Sequence, residues 1–128
     1  MTSRIAVITI DTREPRTLAE FWASALGWRV VEEEDQIVSI APSDASWPTI
    51  DVIQVPEGKT VKNRLHLDLR ADGSTAQEEV DRLLSFGARR ADVGQGADVT
   101  WTVLADPEGN EFCVLLRSVQ DMLSESSG

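Results

Sequence analysis

The sequence predicts an α+β fold of two βαβββ modules, about residues 4–56 and 64–117, within one domain spanning 1–128. Two observations predict it. Each half contains one segment of helical apolar spacing flanked by short, alternating, β-rich segments. The halves also superpose without gaps at an offset of about 60: Arg4 falls on Arg64, Ile5 on Leu65, Val7 on Leu67 and Gly27 on Gly87. A chain of 128 residues has room for one such duplicated unit and its core.

Residues 4–10 (RIAVITI) alternate weakly and are β-branched, which predicts a strand. Pro15 opens a helix whose apolar stripe is Leu18, Phe21, Trp22, Ala25 and Leu26, closed by Gly27. Residues 28–33, 36–41 and 49–55 read as three strands, with an acidic turn at 32–35 and a loop at 42–48. The polar stretch 56–63 (PEGKTVKN) has no periodicity and serves as the connector.

The second half opens on residues 64–70 (RLHLDLR), which alternate strictly. Leu65, Leu67 and Leu69 share one face, suited to packing on a helix, and His66, Asp68 and Arg70 share the other. Ser74 is the expected N-cap of a helix with the stripe Val80, Leu83, Leu84 and Phe86, ended by Gly87. Strands are expected around 89–93, 99–104 and 111–116, the last two joined by the turn-forming run DPEGN at 106–110. From Ser118 onward the chain reads as a polar tail with a short fraying helix.

A four-stranded sheet with a helix on one face leaves its other face uncovered. Two such modules can roll their sheets into a half-open mixed β-barrel, helices outside and a concave pocket inside. His66 and Asp68 then face the pocket, although a solvated sheet surface accounts for the same pattern.

Composition narrows the function. Lys and Arg number 12 against 22 Asp and Glu, a net charge of −10, which disfavours nucleic acid and anionic membrane surfaces. No apolar run approaches the ~20 residues of a membrane span, and the N-terminus lacks the apolar stretch of a signal peptide, so a cytoplasmic protein is expected. One cysteine, Cys113, excludes an internal disulfide, and one histidine, His66, excludes a zinc site built from several His and Cys.

Three segments carry a family resemblance: LAEFWASALGW at 18–28, VPEGKTVKNRLHLDL at 55–69 and ADPEGNEFCVL at 105–115. In these the chain resembles the vicinal oxygen chelate superfamily, and within it the glyoxalase-like domains (the glyoxalase, bleomycin resistance and dioxygenase group). The resemblance implies the barrel fold, a homodimer, and in metal-dependent members a divalent cation held by His, Gln or Glu from the first and last strands of each module. His66 matches one of those positions. Its first-module counterpart is Ala6 or Ile5, which cannot coordinate. The usual carboxylate falls on Cys113, and its counterpart on Ile53 or Gln54. This set is poor for a hard cation. The expectation is therefore no cofactor, and a protein that binds a small organic molecule, planar or cationic, in a resistance or sequestration role. The alternative is a metal-dependent lyase, isomerase or dioxygenase.

The expected ligand contacts are His66, Asp68, Gln54, Trp101, Glu111, Trp47 and Cys113, each set beside a plainer role. His66 is a ligand contact, a structural histidine, or an acid–base group oriented by Asp68. Cys113, between Phe112 and Val114, is most simply a small buried apolar group, and Glu111 opposes its ionisation. Glu111 shares its face and reaches the cavity mouth or solvent. Trp101 is a stacking plate if it points inward, and Trp47 closes the mouth or packs locally. Trp22 is core, and Trp28 is core or barrel edge. The acidity attracts a cationic ligand, or it serves solubility alone.

Overall fold

The computed structural model describes residues 1–91 and 101–127, which divide into two compact units, Met1–Thr60 and Val61–Gly128. The expected strands around 89–93 and 99–104 run partly through 92–100, outside the described residues.

In the first unit, β1 (Val7–Thr12), β2 (Arg29–Glu34), β3 (Ile37–Ala41) and β4 (Thr49–Gln54) form one sheet in the order β1-β4-β3-β2. β1 and β4 run parallel and the other pairs antiparallel. Between β1 and β2 runs α1 (Pro15–Leu26). Proline at its first position costs no backbone donor, and the Thr12 hydroxyl accepts the Glu14 N–H at 3.0 Å just ahead of it. Gly27 ends the helix at φ 69, a left-handed position that a side chain would strain. Of the stripe expected from the sequence, Leu18, Phe21, Trp22 and Ala25 are buried and Leu26 is half-buried; with Ala19, also buried, the helix packs on β3 and β4, whose Val38, Ile40, Ile50 and Val52 are buried too. Phe21 and Trp22 pack edge to face at 5.2 Å, and Trp22 is core.

In the second unit, β5 (Asp68–Leu69), β6 (Arg89–Arg90), β7 (Trp101–Ala105) and β8 (Glu111–Leu115) are ordered β5-β8-β7-β6, with β5 and β8 again parallel. α2 (Ala76–Ser85) packs on β8, and its Val80 and Leu83 are buried together with Leu104, Phe112 and Val114. The chain closes with α3 (Val119–Ser127), so the tail from Ser118 is helical. Ser118 and Asp121 cap it reciprocally: each backbone N–H donates to the other's side chain, at 2.9 and 3.1 Å.

Three details depart from the sequence reading. The α2 cap is Thr75 rather than Ser74: Thr75 Oγ1 accepts from Glu78 N–H while Glu78 Oε1 accepts from Thr75 N–H. Ser74 offers the same spacing to Gln77, but the carboxylate of Glu78 suits a helix N-terminus better than a neutral amide. β5 is far shorter than the alternation of 64–70 predicted. Its ladder begins where Cys113 N–H meets Leu67 C=O at 2.9 Å. Upstream, the Asn63 side chain takes over, donating to Asn110 Oδ1 at 2.7 Å. Leu65 lies beyond the ladder, so no pleat directs it inward and it is 88% exposed instead of packing on α2.

The β7–β8 hairpin turns on Asp106, which is fully buried. Its Oδ1 accepts the backbone N–H groups of Glu108, Gly109 and Asn110 at 3.0, 3.0 and 2.9 Å. Gly109 stands at φ 102, where glycine alone is unstrained. Replacing Asp106 by alanine removes the acceptor of the Glu108 and Asn110 N–H groups and of Asn110 Nδ2 and leaves Gly109 N–H only the residue 106 carbonyl, and we expect Asp106→Ala to cost about 3 kcal/mol in chemical denaturation. A loss within experimental error of zero shows that the turn does not depend on this carboxylate.

Candidate functional site

Strand alternation sorts the predicted residues. On β8, Phe112 and Val114 take the side on which α2 packs, so Glu111, Cys113 and Leu115 take the other. The register carries that second side across the sheet. Cys113 pairs with Asp68 on β5 and with Val103 on β7, and Leu115 pairs with Trp101. Four of the seven expected contacts, Asp68, Trp101, Glu111 and Cys113, thus share the face opposite α2, and His66 is drawn to it by its contact with Asp68.

His66 Nε2 lies 3.2 Å from Asp68 Oδ1, so the i, i+2 spacing does bring the pair into direct contact. Both side chains are substantially open to solvent. Cys113 is buried beside them, and one donor atom from each of the three lies within 4.8 Å of the others. Burial pushes the Cys113 thiol above its ordinary pKa, and the neighbouring Asp68 charge and hydrogen bond push the same way. The opposing carboxylate is thus Asp68, where the sequence suggested Glu111. Glu111 is half-buried, with Oε1 accepting the Asn63 N–H at 3.4 Å. Trp101 is 40% exposed, leaving part of its ring open for contact.

The first unit holds the other two residues. Trp47 is 55% exposed in the 42–48 loop, with the Arg4 guanidinium 4.6 Å from its ring centroid, a cation–π contact. Gln54 ends β4 on the parity of Ile50 and Val52, the side that α1 covers. It is therefore not the counterpart of Cys113. Val30 and Arg90, three residues past Gly27 and Gly87, pair with Ile40 and Leu104, which pair in turn with Ile50 and Phe112. One residue on stand Asp51 and Cys113, whose partners on the first strands are Thr9 and Asp68. Asp51 is the true counterpart, and Ser39 Oγ donates to its Oδ1 at 2.7 Å. A constant offset missed Asp51 because the chain runs 14 residues from Arg90 to Leu104 but 10 from Val30 to Ile40, and the 42–48 loop, longer than the 106–110 turn, recovers only two of those four. Only the register reveals it.

The described strands and helices define a class, the paired βαβββ fold, and the comparisons give the family. The family model for the glyoxalase-like domain matches residues 7–115, and the chain belongs to that family, within the vicinal oxygen chelate superfamily. Among solved structures, a glyoxalase/bleomycin resistance protein/dioxygenase family enzyme from Burkholderia phytofirmans PsJN matches with TM-score 0.64 and 18% identity, over 88% of this chain and 97% of its own. Fosfomycin resistance protein FosX from Mesorhizobium loti gives TM-score 0.68 and 12% identity, over 96% and 99%. The trypanothione-dependent glyoxalase I of Leishmania major gives 0.70 and 12%, over 98% and 94%. No curated protein matches the sequence. At these identities the likeness is one of fold.

A hard divalent cation, the kind the resemblance implies, prefers an octahedron of oxygens. The second unit offers one imidazole, one carboxylate and one thiol, and the first-unit positions equivalent to His66 and Asp68 are Val7 and Thr9. These residues do not fit such an ion.

The raised thiol pKa makes a kinetic prediction. In reduced, chelator-treated protein near pH 8, iodoacetamide should modify native Cys113 at least ~10-fold more slowly than the denatured chain, because burial and the protonated state both oppose attack. Asp68→Asn removes a negative charge and should speed the native reaction. Equal native and denatured rates contradict this. A thiol pKa raised on folding also contributes stability that is present below the ordinary thiol range and is lost as pH rises through the folded value.

Proposed function

We propose that this glyoxalase-like protein binds a small planar organic molecule of cationic character, without the hard-cation chemistry of metal-dependent relatives. The observation that carries the reading is the shared face of the second sheet, where the Trp101 ring stands on the same side as the Asp68 and Glu111 carboxylates and the His66 imidazole. An aromatic plate stacks a planar ligand, the carboxylates favour a positive charge, and the imidazole supplies a hydrogen bond. The net charge of −10 adds long-range attraction for a cation. A resistance or sequestration role fits this chemistry, and a relative in fold is a fosfomycin resistance protein. The protein is further proposed to act as a homodimer in the cytoplasm.

Tryptophan fluorescence of chelator-treated protein, titrated with a planar aromatic cation such as an acridinium or phenanthridinium, tests the reading. Saturable quenching at one ligand per chain is expected. Trp101→Ala should weaken binding by about 1–3 kcal/mol, the range for loss of an aromatic platform, and Asp68→Asn should weaken the cation more than a neutral isostere. Binding indifferent to both substitutions removes this face from the site. No saturable binding of any planar ligand overturns the reading.

A further inference from the structure

We propose that Lys62 gives the shared face of the second sheet an anion-binding arm, so that its ligand is zwitterionic: a planar cationic ring that carries a carboxylate on a short chain. The inference rests on the binding reading above and narrows its ligand class. The placement of Lys62 follows from its neighbour. Asn63 is fastened to the start of β8 twice, its backbone N–H donating to Glu111 Oε1 at 3.4 Å and its side chain to Asn110 Oδ1 at 2.7 Å. Glu111 lies on the face of Asp68 and Cys113, and Lys62, one residue before this clasp, is anchored at the same end of that face. Its ammonium is near enough for its charge to act on Cys113, favouring the thiolate where Asp68 disfavours it.

An exposed lysine is ordinarily a solvated charge, and two features set this one apart. Its backbone is held by the hydrogen bonds of the next residue rather than left on a free connector. The carboxylates of the face are already engaged, Asp68 with His66 at 3.2 Å and Glu111 with Asn63, and Lys62 itself holds no ion pair among the described residues. A positive charge held at a face with two carboxylates, yet paired with neither, is available to an anion of the ligand. The rows of the face are ordered along β8: Trp101 pairs with Leu115, Asp68 with Cys113, and Asn63 meets Glu111. At about 3.4 Å per residue, successive rows stand roughly 7 Å apart. Ring, positive charge and anion then fall in line. The ring stacks on Trp101, its charge lies toward Asp68, and the carboxylate reaches Lys62 one row further on.

Tryptophan fluorescence of chelator-treated full-length protein is titrated with two probes that differ only at the end of one chain, N-carboxypropylacridinium and its neutral primary amide. Beside the carboxylates of the face and under a net charge of −10, an added carboxylate without a partner weakens binding, so the order of the two probes reports the arm. The native protein should bind the carboxylate probe about two- to fivefold more tightly than the amide, the size of an exposed ion pair, and the difference should shrink at high salt. Lys62→Gln should reverse the order of the probes, and Lys62→Arg should keep it. Far-ultraviolet circular dichroism confirms that both variants fold, as expected for an exposed position. Native protein that binds the amide as tightly as the carboxylate, or a carboxylate preference that survives in Lys62→Gln, overturns this inference and leaves the binding reading standing. Saturable binding of neither probe overturns both.

Discussion

Everything in each unit follows from one pairing, that of its first strand with its last in parallel. A parallel pair cannot be closed by a hairpin and needs a long crossover, so a helix must leave the first strand and the chain must return through two more strands. β1–α1–β2–β3–β4 and β5–α2–β6–β7–β8 both satisfy this, and in both the last strand lies between the first and third. The pairing also seats the helix on one sheet face and leaves the other for chemistry. In the second unit the Asp68–Cys113 partnership is itself a step of that ladder, so one set of backbone hydrogen bonds builds the fold and sets the site's geometry.

Burial and polarity divide accordingly. Apolar side chains on the helix side, such as Ile40, Ile50, Leu104 and Phe112, are almost wholly withdrawn from water and supply the cohesive term of each unit. Across the sheet, polar groups are tolerated because they have partners: Ser39 with Asp51, Asn63 with Glu111, His66 with Asp68. Among the described residues no buried side-chain nitrogen or oxygen lacks a hydrogen-bond partner. No helix among them is long and apolar enough to cross a membrane.

Much of this was legible in the amino-acid order, for identifiable reasons. α1 announced itself by a proline, an apolar stripe and a glycine, and each signal acts within a few residues. The face carrying Asp68, Trp101, Glu111 and Cys113 was legible because alternation is a local property. Features that depend on pairing partners were not. Nothing in RLHLDLR says that β8 starts too late to hold Leu65, and nothing local says that a longer link between the second and third strands of the second half moves the counterpart of Cys113 from Ile53 or Gln54 to Asp51. The choice of Thr75 over Ser74 turned on which of two overlapping caps had the charged third residue.

The buried carboxylate of the β7–β8 turn has a consequence for how the molecule tolerates change. By holding three successive amides, Asp106 fixes the length of the hairpin and with it the phase of β8. One residue inserted there would rotate the strand by half a pleat, send Cys113 beneath α2 and bring Phe112 out beside Asp68. The pairing of Asp68 with Cys113 would vanish while both residues remained in the sequence. Length polymorphism at this hairpin is thus a chemical mutation, whereas the 42–48 loop of the other unit is where evolution or an engineer can add chain without erasing it.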